Sequence, residues 1–201
     1  MTDHSSIAAH WNRRYDEQNT PWDSGRRSQE LQNVLAETGI APCRALELGC
    51  GTGTNAIFLA QQGFEVSAID CSELALATAK SKASEAGVAV EWLSDSVLNW
   101  QPPGEPYEFV FDRGCYHCAR RDDLRAYLTT LERITAAGSR YLALTGNANE
   151  QREHGPPGLH ESQIREELGE LFNVEQIREF HFEDPGGVRG PLGWSCLLVR
   201  R

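Results

Sequence analysis

No stretch of this chain approaches the roughly 20 consecutive apolar residues that a membrane-crossing helix needs. No run of Lys and Arg exceeds two residues either. Asp and Glu outnumber Lys and Arg by 29 to 19, for a net charge of −10. A surface of that sign does not draw in a phosphate backbone through its overall field, so neither nucleic acid nor a membrane is an expected partner. Residues 1–15 carry His4, His10, Arg13 and Arg14 and lack an apolar centre. They do not read as a secretory signal, which makes the cytoplasm the expected compartment. Cys115-x-x-Cys118 has no second cysteine pair to complete the four ligands of a structural zinc site. No metal is expected, and the six cysteines, at 43, 50, 71, 115, 118 and 196, are expected as reduced thiols.

The remaining composition is that of a globular protein, with 40% hydrophobic and 24% charged residues among 201. That length suits one domain, residues 1–201, with a sizeable core. From residue 44 onward, short β-rich runs alternate with helical stretches. Strands are expected at 45–48, 65–69, 88–93, 108–111 and 140–145. Helices are expected at 53–62, 72–86 and 122–136. Ser72 serves as an N-cap and Gly87 as a stop for the second of these helices. Such alternation implies crossover connections and an α/β fold, mostly a parallel sheet with helices on both faces. The pattern then changes: residues 162–171 read as a helix, and 174–182 and 194–200 as strands able to pair directly around a Gly- and Pro-rich loop. Residues 1–43 precede the sheet core of 44–201 and read as two helices, the second spanning about 28–38.

Between the first strand and its helix lies Leu46-Glu47-Leu48-Gly49-Cys50-Gly51-Thr52-Gly53-Thr54-Asn55. Glycines at such a turn let the backbone approach a ligand, because no Cβ intervenes. Dinucleotide-binding folds use a similar turn, but here Thr54 stands where their third glycine belongs. Glu47 suits the ammonium group of an amino-acid ligand better than a pyrophosphate. Asp70 ends the second strand, where an acid accepts from ribose hydroxyls, and Asp95 follows the third, placed to accept from an adenine amino group. Gly49, Cys50, Gly51, Cys71 and Ser96 flank these acids and complete one expected binding crevice at the strand ends. Singly, Asp70 or Asp95 also reads as a solvated strand-end carboxylate. Taken together and in order, the residues suit S-adenosyl-L-methionine, with S-adenosyl-L-homocysteine as its product.

With these residues the chain resembles the Rossmann-like class I methyltransferases, whose mostly parallel seven-stranded sheet finishes with an antiparallel terminal strand. In particular it is similar to the thiopurine S-methyltransferase family and its bacterial thiol, halide and tellurite methyltransferase relatives. The likeness rests on Trp11-Asn12-Arg13-Arg14-Tyr15 with Thr20-Pro21-Trp22-Asp23, on Phe111-Asp112-Arg113-Gly114, on Gly155-Pro156-Pro157 and on Gly193-Trp194. It implies that residues 1–43 cap the cofactor, with Trp11, Tyr15 and Trp22 closing over it. Aromatic faces attract a sulfonium cation, by about 0.5–2 kcal/mol each. The competing reading is that these rings simply staple an N-terminal helix to the sheet. The glycine loop has the general methyltransferase form, unlike the divergent thiopurine one, and this leaves the acceptor open.

Methyl transfer from a sulfonium is an in-line displacement in which holding the nucleophile in place can contribute on the order of 7–11 kcal/mol. A thiol near pKa ~8.5 ionises readily, so the expected acceptor is a small molecule with a soft nucleophile. Arg113 is expected to orient it and favour its anion. Asp112 is expected to shape the pocket floor and relay a proton, and His117 to serve as a base. Arg113 also reads as an ion-pair partner of Asp112 or Asp122, and His117 as a loop histidine without a role. Residues 155–161 suit a substrate-covering loop. An oxygen or nitrogen acceptor is the main alternative. A nicotinamide oxidoreductase is disfavoured by the lack of any Tyr-x-x-x-Lys, and a non-catalytic cofactor-binding module would share the glycine loop. Nothing in the composition chooses between a monomer and a homodimer.

Overall fold

The computed structural model describes residues 4–98, 100–102, 104–150, 158–183 and 189–201. Their elements run α1 (His4–Asp16), α2 (Gln29–Thr38), β1 (Arg44–Leu48), α3 (Thr54–Gln61), β2 (Glu65–Asp70), α4 (Glu73–Ala86), β3 (Glu91–Ser94), β4 (Tyr107–Arg113), α5 (Tyr116–Ile134), β5 (Thr135–Gly146), α6 (Glu161–Leu168), β6 (Phe172–Glu183) and β7 (Arg189–Arg200). The strands form one seven-stranded sheet in the order β3-β2-β1-β4-β5-β7-β6. Strands β1 to β5 pair in parallel, while β7 runs antiparallel between β5 and β6. The architecture is the expected one, with the antiparallel strand inserted inside the sheet.

Alternation along the strands explains why both faces are covered. Leu46 and Leu48 of β1, Val110 of β4 and Tyr141 and Ala143 of β5 join one apolar cluster with Tyr127 and Leu131 of α5 and Ile164 of α6. Ala45, Phe109, Phe111, Leu142 and Leu144 turn the other way and pack with Leu31 and Val34 of α2, Leu59 of α3 and Leu76 of α4. Successive strand residues point to opposite faces, so a near-continuous apolar strand can build two cores at once.

The helix boundaries follow local chemistry. Ser72 Oγ accepts from the Ala75 amide at 3.2 Å, and Gly87 closes α4 in the left-handed region at φ 67°. The Val88 amide still bonds back to the Ala83 carbonyl at 3.1 Å. Strand β3 therefore starts at Glu91 and not at the expected residue 88. Helix α5 begins at Tyr116, ahead of the expected residue 122, and breaks at Asp123, whose φ of −160° and ψ of 94° are extended. Asp123 Oδ1 accepts from the Ala126 amide at 2.9 Å and caps the second segment, the part expected from sequence. The hairpin expected near the C-terminal end is β6 and β7, paired from Phe172↔Arg200 onward.

The sheet order reverses between β1 and β4, where connections leave toward opposite sides and open a crevice at the carboxyl ends of the strands.

Candidate active site

A cavity of about 1120 Å³ occupies this crevice. The expected residues Trp11, Tyr15, Trp22, Glu47, Gly49, Cys50, Gly51, Asp70, Cys71, Ser96, Arg113 and His117 all line it. Asp95 and Asp112 do not.

The glycine turn forms the floor on one side. Gly49 and Gly51 have φ of 62° and 54°, values that side chains rarely adopt. A Cβ on Gly49 would lie 2.8 Å from Cys115 Cβ, and one on Gly51 would lie 2.8 Å from the Tyr15 hydroxyl. The turn is thus closed on both flanks, by α5 and by α1. Asp70 fastens it: one carboxylate oxygen accepts from the Gly51 amide and the other from the Ser72 amide, each at 2.8 Å. Burial raises the Asp70 pKa, while those backbone donors favour its anion. Glu47 is 2% exposed. Its Oε1 accepts from Asn55 Nδ2 at 3.2 Å, and its Oε2 is buried with no partner. Burial pushes its carboxyl up to about 8.

The N-terminal aromatics roof the cavity. Trp11 and Trp22 meet edge to face at 5.3 Å, Tyr15 and Trp22 at 6.2 Å, and Trp22 Nε1 donates to the Tyr15 hydroxyl at 3.4 Å. The Arg14 guanidinium lies over the Trp22 ring at 4.5 Å. Two polar fastenings hold this roof to the sheet layer. Ser72 Oγ donates to Asn12 Oδ1 at 2.8 Å, and Thr52 Oγ1 donates to Asp23 Oδ2 at 2.8 Å while accepting from Lys82 Nζ at 2.7 Å.

The opposite wall comes from β4, α5 and the ends of β6 and β7. Arg113 Nη1 donates to the Trp22 carbonyl at 3.2 Å and Nη2 to Glu183 Oε2 at 3.4 Å. Its guanidinium faces the Phe182 ring at 5.1 Å. Its ion-pair partner is therefore Glu183, not Asp112 or Asp122. His117 sits in the first turn of α5 rather than in a loop. Its Nδ1 accepts from the Gly146 amide at 3.0 Å, so in the neutral ring the hydrogen is on Nε2. Nδ1 also lies 3.2 Å from Thr145 Oγ1.

Asp112 is fully buried beneath the cavity. Its carboxylate accepts from the Cys115 amide at 2.8 Å, the Tyr116 amide at 2.9 Å and the Tyr127 hydroxyl at 2.5 Å. The two backbone donors make the carboxylate a cap on the start of α5, away from the cavity wall. Burial nonetheless raises its pKa to about 6. Asp95 is exposed, and its Oδ1 accepts from the Ser96 amide at 2.7 Å. Ser96 lines the cavity in its place.

Cys115 and Cys118 also line the cavity, and burial pushes Cys71 and Cys118 up to about 12, which keeps these thiols neutral. Among the described residues no group of three or more His, Cys, Asp or Glu is arranged to hold a metal ion, and no helix is long and apolar enough to cross a membrane. Sequence reasoning missed Asn55 and Glu183. Asn55 stood inside the glycine motif, but its partner is an amide 27 residues away. Glu183 looked like the start of a turn. The Gly155-Pro156-Pro157 motif, the first three residues of the expected covering loop, lies outside the described residues.

Residues 45–138 match the family model described as a methyltransferase domain. The chain is similar to the probable thiol methyltransferase 2 of Arabidopsis thaliana, 30% identical over 151 residues that cover 73% of this chain and 65% of that protein. It is also similar to thiocyanate methyltransferase 1 of Arabidopsis thaliana, 29% identical over 57% of this chain and 51% of that protein. The chain thus spans between half and two thirds of the length of these relatives. A solved structure described by the conversion of a disulfide bond into a thioacetal group during echinomycin biosynthesis superposes with a TM-score of 0.75. It is 26% identical, over 90% of this chain and 84% of that one.

Proposed function

We propose that this chain is an S-adenosyl-L-methionine-dependent methyltransferase acting on a small molecule whose nucleophile is soft, such as a thiol. The observation that carries this reading is the cavity itself: a glycine cradle, a strand-end acid and three aromatic rings converge on one space at the sheet's reversal point. The residues fit the donor. The glycine turn lines the cavity with its backbone, Glu47 Oε2 is a buried acceptor without a partner, and the aromatic roof suits a sulfonium. Names borne by relatives, thiol and thiocyanate methyltransferase, favour the soft acceptor.

Bound S-adenosyl-L-methionine supplies an electrophilic methyl group on sulfur. Trp11, Tyr15 and Trp22 cover the donor and exclude water. Asp70 accepts from its ribose hydroxyls, Gly49, Cys50, Gly51, Cys71 and Ser96 line its path, and Asp95 stands at the rim toward the adenine. Arg113 orients the acceptor and favours its anion. His117 donates a hydrogen bond to the acceptor, and Asp112 holds the α5 turn that carries His117. The neutral cavity thiols do not compete with the acceptor, since the thiolate is the nucleophile. Residues 1–43 and 44–201 work as one domain, cap and core. The protein acts as a monomer or homodimer in the cytoplasm, with no nucleic-acid or membrane partner, a view the net charge of −10 supports.

The test is release of S-adenosyl-L-homocysteine from purified protein given the donor and a panel of thiols, thiocyanate, iodide, tellurite, catechols and amines. Turnover confined to soft acceptors is the expected result. Turnover with catechols or amines alone would sink the soft-acceptor reading and leave the donor reading intact.

A further inference from the structure

One acid of the cavity is held from behind by an amide whose own orientation is fixed. Asn55, the second residue of α3, is 8% exposed. Its Oδ1 accepts from the Ser28 backbone amide at 2.8 Å, and its Nδ2 donates to Glu47 Oε1 at 3.2 Å. A backbone N–H can only donate, so the oxygen of this side-chain amide must face Ser28 and its NH2 must face Glu47. Ser28 is itself fully buried and caps α2, accepting from the Leu31 amide at 3.3 Å. The next amide, of Gln29, donates to Glu183 Oε1 at 2.6 Å. The start of α2 is therefore tied to Glu47 through Asn55, and to Arg113 through Glu183.

We infer that Asn55 is a positioning residue for ammonium recognition: by engaging Glu47 Oε1 it leaves Oε2 as the oxygen offered to an alkylammonium group in the cavity. This rests on the reading that the cavity takes S-adenosyl-L-methionine, whose amino-acid end carries such a group. Asn55 does not touch the ligand. It keeps Glu47 from rotating to satisfy both oxygens within the protein, and it makes the docking of α2 part of the binding site. The side-chain amide carries, on separate atoms, both the acceptor for the Ser28 amide and the donor to a carboxylate.

The experiment is calorimetric titration of the wild type, Asn55→Asp and Asn55→Ala with two ligands. One is S-adenosyl-L-homocysteine, and the other is 5′-methylthioadenosine, which lacks the amino-acid end. Asn55→Asp keeps an acceptor for the Ser28 amide but replaces the amide donor with a second carboxyl set against Glu47, and Asn55→Ala removes both contacts. Both variants are expected to bind S-adenosyl-L-homocysteine about tenfold or more weakly, as loss of a hydrogen bond to a charged group implies, and methylthioadenosine within about twofold of the wild type. Normal methylthioadenosine binding also certifies that a variant is folded. Equal weakening toward both ligands, or none toward either, overturns the inference and makes Asn55 a packing residue. A wild type that binds neither ligand overturns the donor reading and this inference with it.

Discussion

The two sides of the cavity are built by different means. The glycine-loop side comes from residues 47–55 and 70–72, short turns that leave neighbouring parallel strands, and its contacts are mostly backbone amides. The arginine side assembles from Trp22, Arg113, His117, Phe182, Glu183 and Pro191, side chains from four separate regions of the chain. A main-chain cradle tolerates little, because its shape is its φ values. A side-chain wall can change residue by residue without disturbing the sheet. The architecture thus separates a fixed main-chain side from an adaptable side-chain wall.

The largest effect should follow from breaking the fixed side. Gly49→Val forces a β-branched residue into φ 62° and a methyl-bearing carbon against Cys115 Cβ. Calorimetry should show S-adenosyl-L-homocysteine affinity falling about 100-fold or more, equivalent to ~3 kcal/mol. A Gly49→Val protein that binds normally would mean the turn is far more pliable than its backbone implies. Arg113→Met tests the other side. Turnover with a thiol should drop about 100-fold while donor affinity stays within about threefold, the pattern of an interaction made mainly to the reacting group. Parallel loss of both would move Arg113 to the donor side and blur the division.

The smallest effect sharpens the comparison through pH. Burial carries the Glu47 carboxyl from its ordinary 4.5 up to about 8. Between those values the folded protein keeps a proton that the unfolded chain gives up, so stability falls as pH rises through that window. Glu47→Gln lacks this term. Without ligand, the wild type should therefore lose melting temperature relative to Glu47→Gln between pH 5 and pH 8. The expected scale is about 2–4 °C for each kcal/mol. Thermal scans that stay parallel across this range would show that Glu47 is already compensated by a cation or by solvent.

The contrast also explains what could be read from the sequence. The glycine loop, the Ser72 cap and the Gly87 stop are local chemistry, each settled within a few residues. The mostly parallel sheet followed from the alternation of strands and helices, and the antiparallel last strand from the family resemblance. Elsewhere the deciding partner lay far along the chain or on a different face. The first turn of α5 was missed because its cap is a strand carboxylate, Asp112, whose destination depends on which face of β4 it occupies. Asp95 was placed by its position after a strand, and its side chain accepts from its own neighbour's amide, a contact the strand end alone did not announce. Glu183 carried no local sign, since its two partners are 154 and 70 residues away.

The insertion of β7 between β5 and β6 has a consequence for how the molecule is made. A ribosome delivers β1 through β5 in order, and each new strand can pair with one already present. Strand β6 emerges next with no partner, because its place in the sheet is defined by residues 189–200, which follow it. The nascent chain can therefore complete the glycine cradle and the Asp70 fastening while Phe182, Glu183 and Pro191 still lack their scaffold. Synthesis itself sets the order of assembly: the side that would hold the donor is finished first, and the side that would choose the acceptor is finished last.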